Sequence, residues 1–286
     1  MTPSAGFDRV CSMKMMKRMA CRLICLAAVL GLLAASSAGA AGPLAVTLFK
    51  AGKADAFLLL TAHHALLIDA GEDDDAGGIA AYLASQHIDT LDAVILTHPD
   101  KDHIGGLPRL MNAITVKTVY QPDCYKDSKA TRNLYAAFLR HQITPVTVRE
   151  NMALTFDDVA LLVIPAAGDG AYESDDMSLV VSMRHGDNGF LFTGDIGSAR
   201  MEELLDNGIS LQHRMLKVPA HGREAAALPR FLDAVAPEIA VITCSRKNPP
   251  DRAVADLLAS RGILTLLTMD GDITLTSDGQ HITWHQ

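Results

Sequence analysis

From Leu44 onward the chain is cut into short runs rich in Val, Ile, Leu and Thr, commonly followed by Gly or Asp, and this punctuation limits the fold more than any other feature. Short apolar runs bounded by turn residues are strands; stretches with apolar residues at three- and four-residue spacing are helices. The pattern predicts strands at 44–49, 56–61, 65–70, 92–97, 116–120, 146–148, 152–156, 159–164, 178–184, 189–193, 214–219, 239–243, 263–267, 272–276 and 281–285. It predicts helices at 76–87, 104–112, 128–141, 198–206, 225–235 and 250–260. The first three strands leave no room for a helix between them and form hairpins, whereas later strands often alternate with helices. Hairpins mixed with βα units make a layered α/β sandwich rather than a purely doubly wound sheet. No internal repeat, low-complexity tract or long Pro/Gly linker divides residues 41–286, so one domain accounts for them.

Residues 1–40 have a different composition. Lys14, Lys17, Arg18 and Arg22 precede an apolar run, Leu23 to Leu33, and the small residues Ala38-Gly-Ala40 follow it. That order is the pattern of a cleaved signal peptide, and the apolar run is too short to span a bilayer comfortably. Residues 1–12 fit neither part, which makes Met13 a candidate start. The expectation is an exported protein, periplasmic or secreted, with no stable membrane span after processing.

Five of the 25 basic and one of the 33 acidic residues lie in 1–40, which leaves 20 against 32 and a formal charge of −12 for the remainder. This argues against a long basic groove for nucleic acid. It does not exclude an anionic substrate held by metal ions, because a dication reverses the local field. Of five cysteines, Cys124 and Cys244 remain outside the signal. In an oxidising compartment they form either one disulfide or two inert thiols.

The segment Asp92 to Gly106 carries the chemistry. Four apolar residues, Ala93 to Leu96, lead into Thr97 and then into His98-Pro-Asp100-Lys-Asp102-His103, with Gly105 and Gly106 following. A buried strand thus delivers two His and two Asp to its carboxyl end, where α/β folds place their sites. Imidazole and carboxylate are the common ligands of zinc, manganese and iron. Pro99 holds His98 extended, and the glycines allow a close approach to a metal or to a neighbouring strand. A polar loop with a capping Asp is the simpler alternative, but four ligand-type side chains packed this tightly disfavour it. Two further strands end alike: Phe190 to Asp195 closes on a carboxylate, and Met215 to His221 closes on an imidazole. Alone, each is an ordinary turn or cap. With the first cluster they offer ligands from three strand ends, which suggests a dinuclear site.

These three segments, His-x-Asp-x-Asp-His-Ile-Gly-Gly, Thr-Gly-Asp and Leu-Lys-Val-Pro-x-His-Gly, resemble the metallo-β-lactamase superfamily, above all its ComEC-type hydrolase domains of DNA-uptake competence proteins. Leu66 to Gly71 matches the opening strand and turn of that family. The resemblance implies a four-layer αββα sandwich over residues 41–286 and a hydrolase using two divalent metal ions, zinc or manganese. It implies that His98 and Asp100 hold one ion, that Asp102, His103 and His221 hold the second, and that Asp195 bridges both. Asp102 is the implied catalytic residue, orienting the attacking water while ligating one ion. Asp100 stands where most relatives have His, which makes the site harder and favours manganese.

Some positions depart from the pattern. The third His of the first metal is replaced by Asp175-Asp176-Met177-Ser178, where Asp176 is either a ligand, directly or through water, or part of a plain turn. Ala220 replaces a His, the segment Cys244 to Pro250 lacks another, and Ala51-Gly-Lys53-Ala-Asp55 replaces a Gly-Gln-Gly-Asp type turn. The expected substrate is an anionic small molecule or a nucleic-acid strand, with Lys217 or Arg223 as candidate phosphate contacts. The alternatives are a lactam or thioester hydrolase of the same fold, and a catalytically impaired protein that binds metal or a partner. The remaining histidines, 63, 64, 87, 141, 185, 213, 281 and 285, fall at distal turns, helix ends, loops or the last strand. They are expected to serve packing or the surface.

Overall fold

Side chains alternate across a strand, so a strand apolar on both faces must lie between two apolar layers. Most strands here are of that kind. In the computed structural model, which describes residues 41–167 and 174–286, they assemble into two sheets. The signal-peptide reading of 1–40 lies outside the described residues.

The first sheet holds β1 (Leu44–Leu48), β2 (Phe57–Leu60), β3 (Ala65–Ile68), β4 (Thr90–Ile95), β5 (Thr115–Pro122) and β6 (Val146–Val148), joined by β14 (Ile273–Ser277) and β15 (Ile282–His285), in the order β15-β14-β1-β2-β3-β4-β5-β6. The second holds β7 (Met152–Phe156), β8 (Val159–Ile164), β9 (Val180–His185), β10 (Asn188–Phe192), β11 (Met215–Lys217), β12 (Ile239–Ile242) and β13 (Leu264–Leu267), in the order β13-β12-β11-β10-β9-β8-β7. Strands β1 to β3 are the expected hairpins, antiparallel in register, whereas β3 to β6 and β10 to β13 run parallel.

Three slabs of core follow from the alternation. Leu66, Ile68, Phe57, Phe190, Phe192 and Val241 meet between the sheets. Their neighbours in sequence, such as Leu67 and Leu58, turn the other way onto α1 (Ala76–Ser85), α3 (Leu107–Leu110) and α4 (Lys129–Arg140), through Ile79, Leu83, Leu107, Leu134 and Phe138. Leu191, Leu216 and Ala240 likewise turn onto α5 (Ser198–Asp206), α6 (Leu228–Val235) and α7 (Arg252–Ser260), through Met201, Phe231, Val235 and Leu258. Helix, sheet, sheet, helix is the four-layer αββα sandwich. Phe57 and Phe192 tie the two sheets together with ring centroids 5.5 Å apart, and truncating such a buried ring to alanine costs roughly 3–5 kcal/mol.

The predicted helix 104–112 is divided. One turn, α2 (Lys101–Ile104), ends at Gly105, and α3 starts after Gly106. Here the chain is pressed against the end of β3: a Cβ on Gly106 would lie 2.1 Å from the Ala70 carbonyl oxygen. Close approach to a neighbouring segment, one of the two readings of the glycine pair, is realised at Gly106. Cys124 and Cys244 are free thiols, the first half-buried and the second buried. No helix among the described residues is long and apolar enough to cross a membrane.

Candidate metal centre

The parallel strands set the site. The carboxyl ends of β3, β4, β10 and β11 meet at one edge of the sandwich, tied by Leu179 N to Thr97 O (2.9 Å), Ala220 N to Gly194 O (3.3 Å) and Ala70 N to His103 O (2.7 Å). Each strand delivers a polar side chain at or shortly past its end: Asp69 after β3, His98 to His103 after β4, Asp195 after β10, His221 after β11.

His98, His103 and Asp195 each bring a ligand-type atom to within 4.8 Å of one another, and so do Asp102, His103 and His221. His103 Nε2 lies 3.4 Å and His221 Nε2 2.9 Å from Asp195 Oδ2. The His98 and His103 rings are 4.0 Å apart, and His103 and His221 are 5.6 Å apart.

The other ring nitrogen of each imidazole is already engaged. His103 Nδ1 is 2.7 Å from Asp69 Oδ2, His98 Nδ1 is 3.1 Å from Thr97 Oγ1, and His221 Nδ1 is 2.9 Å from Thr243 Oγ1. Asp69 in turn accepts from Thr97 N and Thr97 Oγ1, both at 2.7 Å. A carboxylate behind His103 puts the proton on Nδ1 and leaves the lone pair on Nε2. The Nε2 atoms of His103 and His221 are buried and make no hydrogen bond, despite their closeness to Asp195. Buried polar atoms are rarely left so. Ring nitrogens and a carboxylate that converge without hydrogen-bonding one another suit a divalent cation, which would take the place of a second proton on His103, and the donor set of imidazole and carboxylate fits one.

The electrostatics are as crowded as the geometry. Burial opposes the charging of His103, but the carboxylates of Asp195 and Asp69 outweigh it and raise its pKa well above the ordinary value. Burial, reinforced by His103, pushes His98 well down. Burial would raise Asp195, yet His103 and Lys217 hold it well below the usual carboxylate range. Beneath the site, Lys217 is fully buried and reaches Asp55 Oδ2 (2.6 Å), Gly194 O (2.8 Å) and Asp195 Oδ1 (3.2 Å). Its ammonium holds one oxygen of Asp195 and leaves the other facing the histidines. Asp69, Ala220 and His221 all have positive φ, at 56°, 47° and 55°. Such conformations cost on the order of 1–3 kcal/mol each and persist where the surroundings over-determine them.

The structure therefore brings together five of the expected residues: His98, Asp102, His103, Asp195 and His221. Asp100 stands to one side, where it groups with His98 and Asp175. Asp176 turns away. Its Oδ1 accepts from Gly197 N at 2.6 Å, at the start of α5, a common place for a carboxylate. The neighbouring Asp175 instead brings Oδ1 to 3.9 Å from His98 Nε2. Lys217 is sealed below the site, and Arg223 pairs with Asp251 at 2.8 Å, so neither is placed as a phosphate contact. Sequence reading missed the parts played by Asp55 and Asp69. Asp69 had a signal, since it ends an apolar strand just as Asp195 does. Lys217 had one too: a charged residue inside an apolar strand is buried only when paired.

A four-layer sandwich with a strand-end cluster of His and Asp defines a class of metal-binding α/β protein, and comparison gives the family. The metallo-β-lactamase superfamily pattern matches residues 50–246, and the chain belongs to that superfamily. Among curated proteins it is 28% identical over 191 residues to ComE operon protein 3 of Bacillus subtilis (strain 168), covering 65% of this chain and 24% of that protein. It is 28% identical over 231 residues to competence protein ComA of Neisseria gonorrhoeae, covering 78% of this chain and 31% of that protein. The chain thus matches only a minor part of the length of these relatives. Among solved structures it resembles the metallo-β-lactamase fold protein YhfI from Bacillus subtilis, with a TM-score of 0.55 and 14% identity over 85% of this chain and 100% of that one.

Proposed function

We propose that this chain is an exported, dinuclear metal-dependent hydrolase acting on phosphodiesters, with a nucleic-acid strand as the substrate class. One observation carries the reading: three imidazoles have their Nδ1 atoms engaged, and His103 shares one cluster of ligand-type atoms with His98 and Asp195 and an adjoining one with Asp102 and His221. The similarity to competence proteins supports the choice of substrate.

His98 and Asp100, with Asp175 beside them, would hold one ion; Asp102, His103 and His221 would hold the other; Asp195 would serve both. Bound there, zinc or manganese would acidify a water and neutralise charge on the phosphoryl oxygens. The chain supplies the rest. Asp69 and Thr97 fix the tautomer and orientation of His103. Thr243 does the same for His221, and Lys217 clamps Asp195. Asp102 Oδ2 lies 3.8 Å from His221 Nε2, where its carboxylate would orient a water.

The test is turnover of bis-p-nitrophenyl phosphate by protein loaded with manganese or zinc. The wild type is expected to cleave it, and His103→Ala to abolish cleavage. Undiminished turnover in that variant rejects the assignment, and nitrocefin turnover in place of diester cleavage would move it to lactam chemistry. Export is tested separately, by N-terminal sequencing of the protein recovered from outside the cytoplasm, with cleavage expected after Ala40.

A further inference from the structure

Carboxylates dominate this site. Asp100, Asp102, Asp175 and Asp195 lie at it and Asp55 lies beneath it, in a domain of formal charge −12. Among the described residues, three ammonium groups touch these carboxylates: Lys53, Lys126 and Lys217. They differ in accessibility. The Lys217 side chain is 0% exposed, whereas Lys53 is 39% and Lys126 45% exposed.

The two accessible lysines come from separate loops. Lys53 sits in the β1–β2 loop, and its Nζ meets Asp102 Oδ2. That loop is tied down by Asp55 N to Asp102 O (3.1 Å) and Gly71 N to Asp55 O (2.8 Å). Lys126 sits between β5 and α4, and its Nζ lies 2.7 Å from both oxygens of Asp100. Lys101, between the two carboxylates in sequence, is directed elsewhere, to Glu72 at 3.0 Å. An ammonium has three donors, so contact with one carboxylate leaves it able to bond a second acceptor. Lys53 and Lys126 therefore present positive charge at Asp102 and Asp100, one on each of the two carboxylates that follow His98.

We infer that Lys53 and Lys126 form a two-sided clamp for the phosphate group of the substrate, each ammonium bridging a site carboxylate and a phosphoryl oxygen. The inference rests on the hydrolase reading above. It replaces Lys217 and Arg223 as the phosphate contacts, since burial removes the first and the second pairs with Asp251, which is not one of the site's carboxylates. It also gives a use to Lys53 in the loop where the chain departs from the family's Gly-Gln-Gly-Asp type turn.

The experiment is titration calorimetry of inorganic phosphate into manganese-loaded protein, with manganese content measured on the same samples. Lys53→Met and Lys126→Met are each expected to weaken phosphate binding about tenfold, and the double variant about a hundredfold, with bound manganese unchanged. Lys53→Arg and Lys126→Arg are expected to stay within about threefold of wild type, since both keep a charged donor. Phosphate affinity unchanged in the double variant overturns the inference. Loss of manganese in step with phosphate overturns it too, because the lysines would then be fastening the ligands. The two readings fail separately. Diester cleavage by wild type with phosphate binding indifferent to the lysines sinks only the clamp. Lysine-dependent phosphate binding without diester cleavage sinks only the hydrolase.

Discussion

Strands β10 and β11 carry buried polar groups at both ends, and the two ends treat them differently. At the amino end of β11, His213 is buried with both nitrogens bonded, Nδ1 to Leu211 O and Nε2 to Ser182 Oγ, each at 2.8 Å. Nearby, Asn188 Nδ2 donates to Ser277 Oγ (2.8 Å) and His281 O (3.1 Å), and its Oδ1 accepts from Arg214 (2.7 Å). His185 bonds Ser277 Oγ through Nδ1, while its Nε2 makes no hydrogen bond among the described residues and lies 3.4 Å from Asp158. At the carboxyl end, His103 and His221 are similarly buried but each keeps one nitrogen unbonded and turned to the same space. Burial of an imidazole is common to both ends. What separates a structural histidine from a ligand is whether its unbonded nitrogen converges with other ligand-type atoms: the Nε2 of His185 is unbonded too, but among the described residues it joins no such cluster.

The sharpest way to break this contrast is to remove one imidazole from each end. His221→Ala is expected to lose bound metal and turnover together, whereas His213→Gln should keep both; elemental analysis and diester cleavage report the two. Next in size is a pH effect confined to the other end. Burial lowers the His213 pKa from 6.5 to about 4. The unfolded chain then binds more protons between these values, so this residue's contribution is intact above pH 6.5 and is lost as pH falls toward 4. The loss is about 3 kcal/mol in full. Urea unfolding at pH 7, 5.5 and 4.5 should show it in the wild type and a flatter profile in His213→Gln.

Asp69→Asn tests the support behind His103. It keeps the shape but removes the charge that fixes the tautomer, and metal affinity should fall about 10–100-fold, measured by competition with a chelator. The smallest effect separates two neighbouring aspartates. Asp176→Ala is expected to cost about 1 kcal/mol of stability through the lost contact with Gly197 N, with metal content unchanged. Asp175→Asn should leave stability intact and weaken one ion a few-fold.

Much of this was legible in the sequence, for reasons that also mark the limit. Apolar runs closed by turn residues marked the strands, and the carboxyl ends of β4, β10 and β11 gather at one edge, which is why His98, Asp195 and His221 could be grouped from the sequence. Local pattern does not say which way a side chain turns in a loop. Asp175 and Asp176 are indistinguishable as letters, and only the start of α5 draws the second away. The helix expected over 104–112 breaks because Gly106 must pass under Ala70, a contact between segments distant in sequence. Lys53 and Lys126 carried no signal at all, since a lysine in a polar loop is ordinarily a solvated one.

The most direct measurement is the metal content of protein loaded with manganese or zinc and freed of excess, compared with Asp195→Ala. Two ions per wild-type chain, with the variant holding fewer, is the expected result. A wild-type chain that retains no ion, or a variant that holds both as firmly, would contradict the convergence of strand ends on a shared pair of cations.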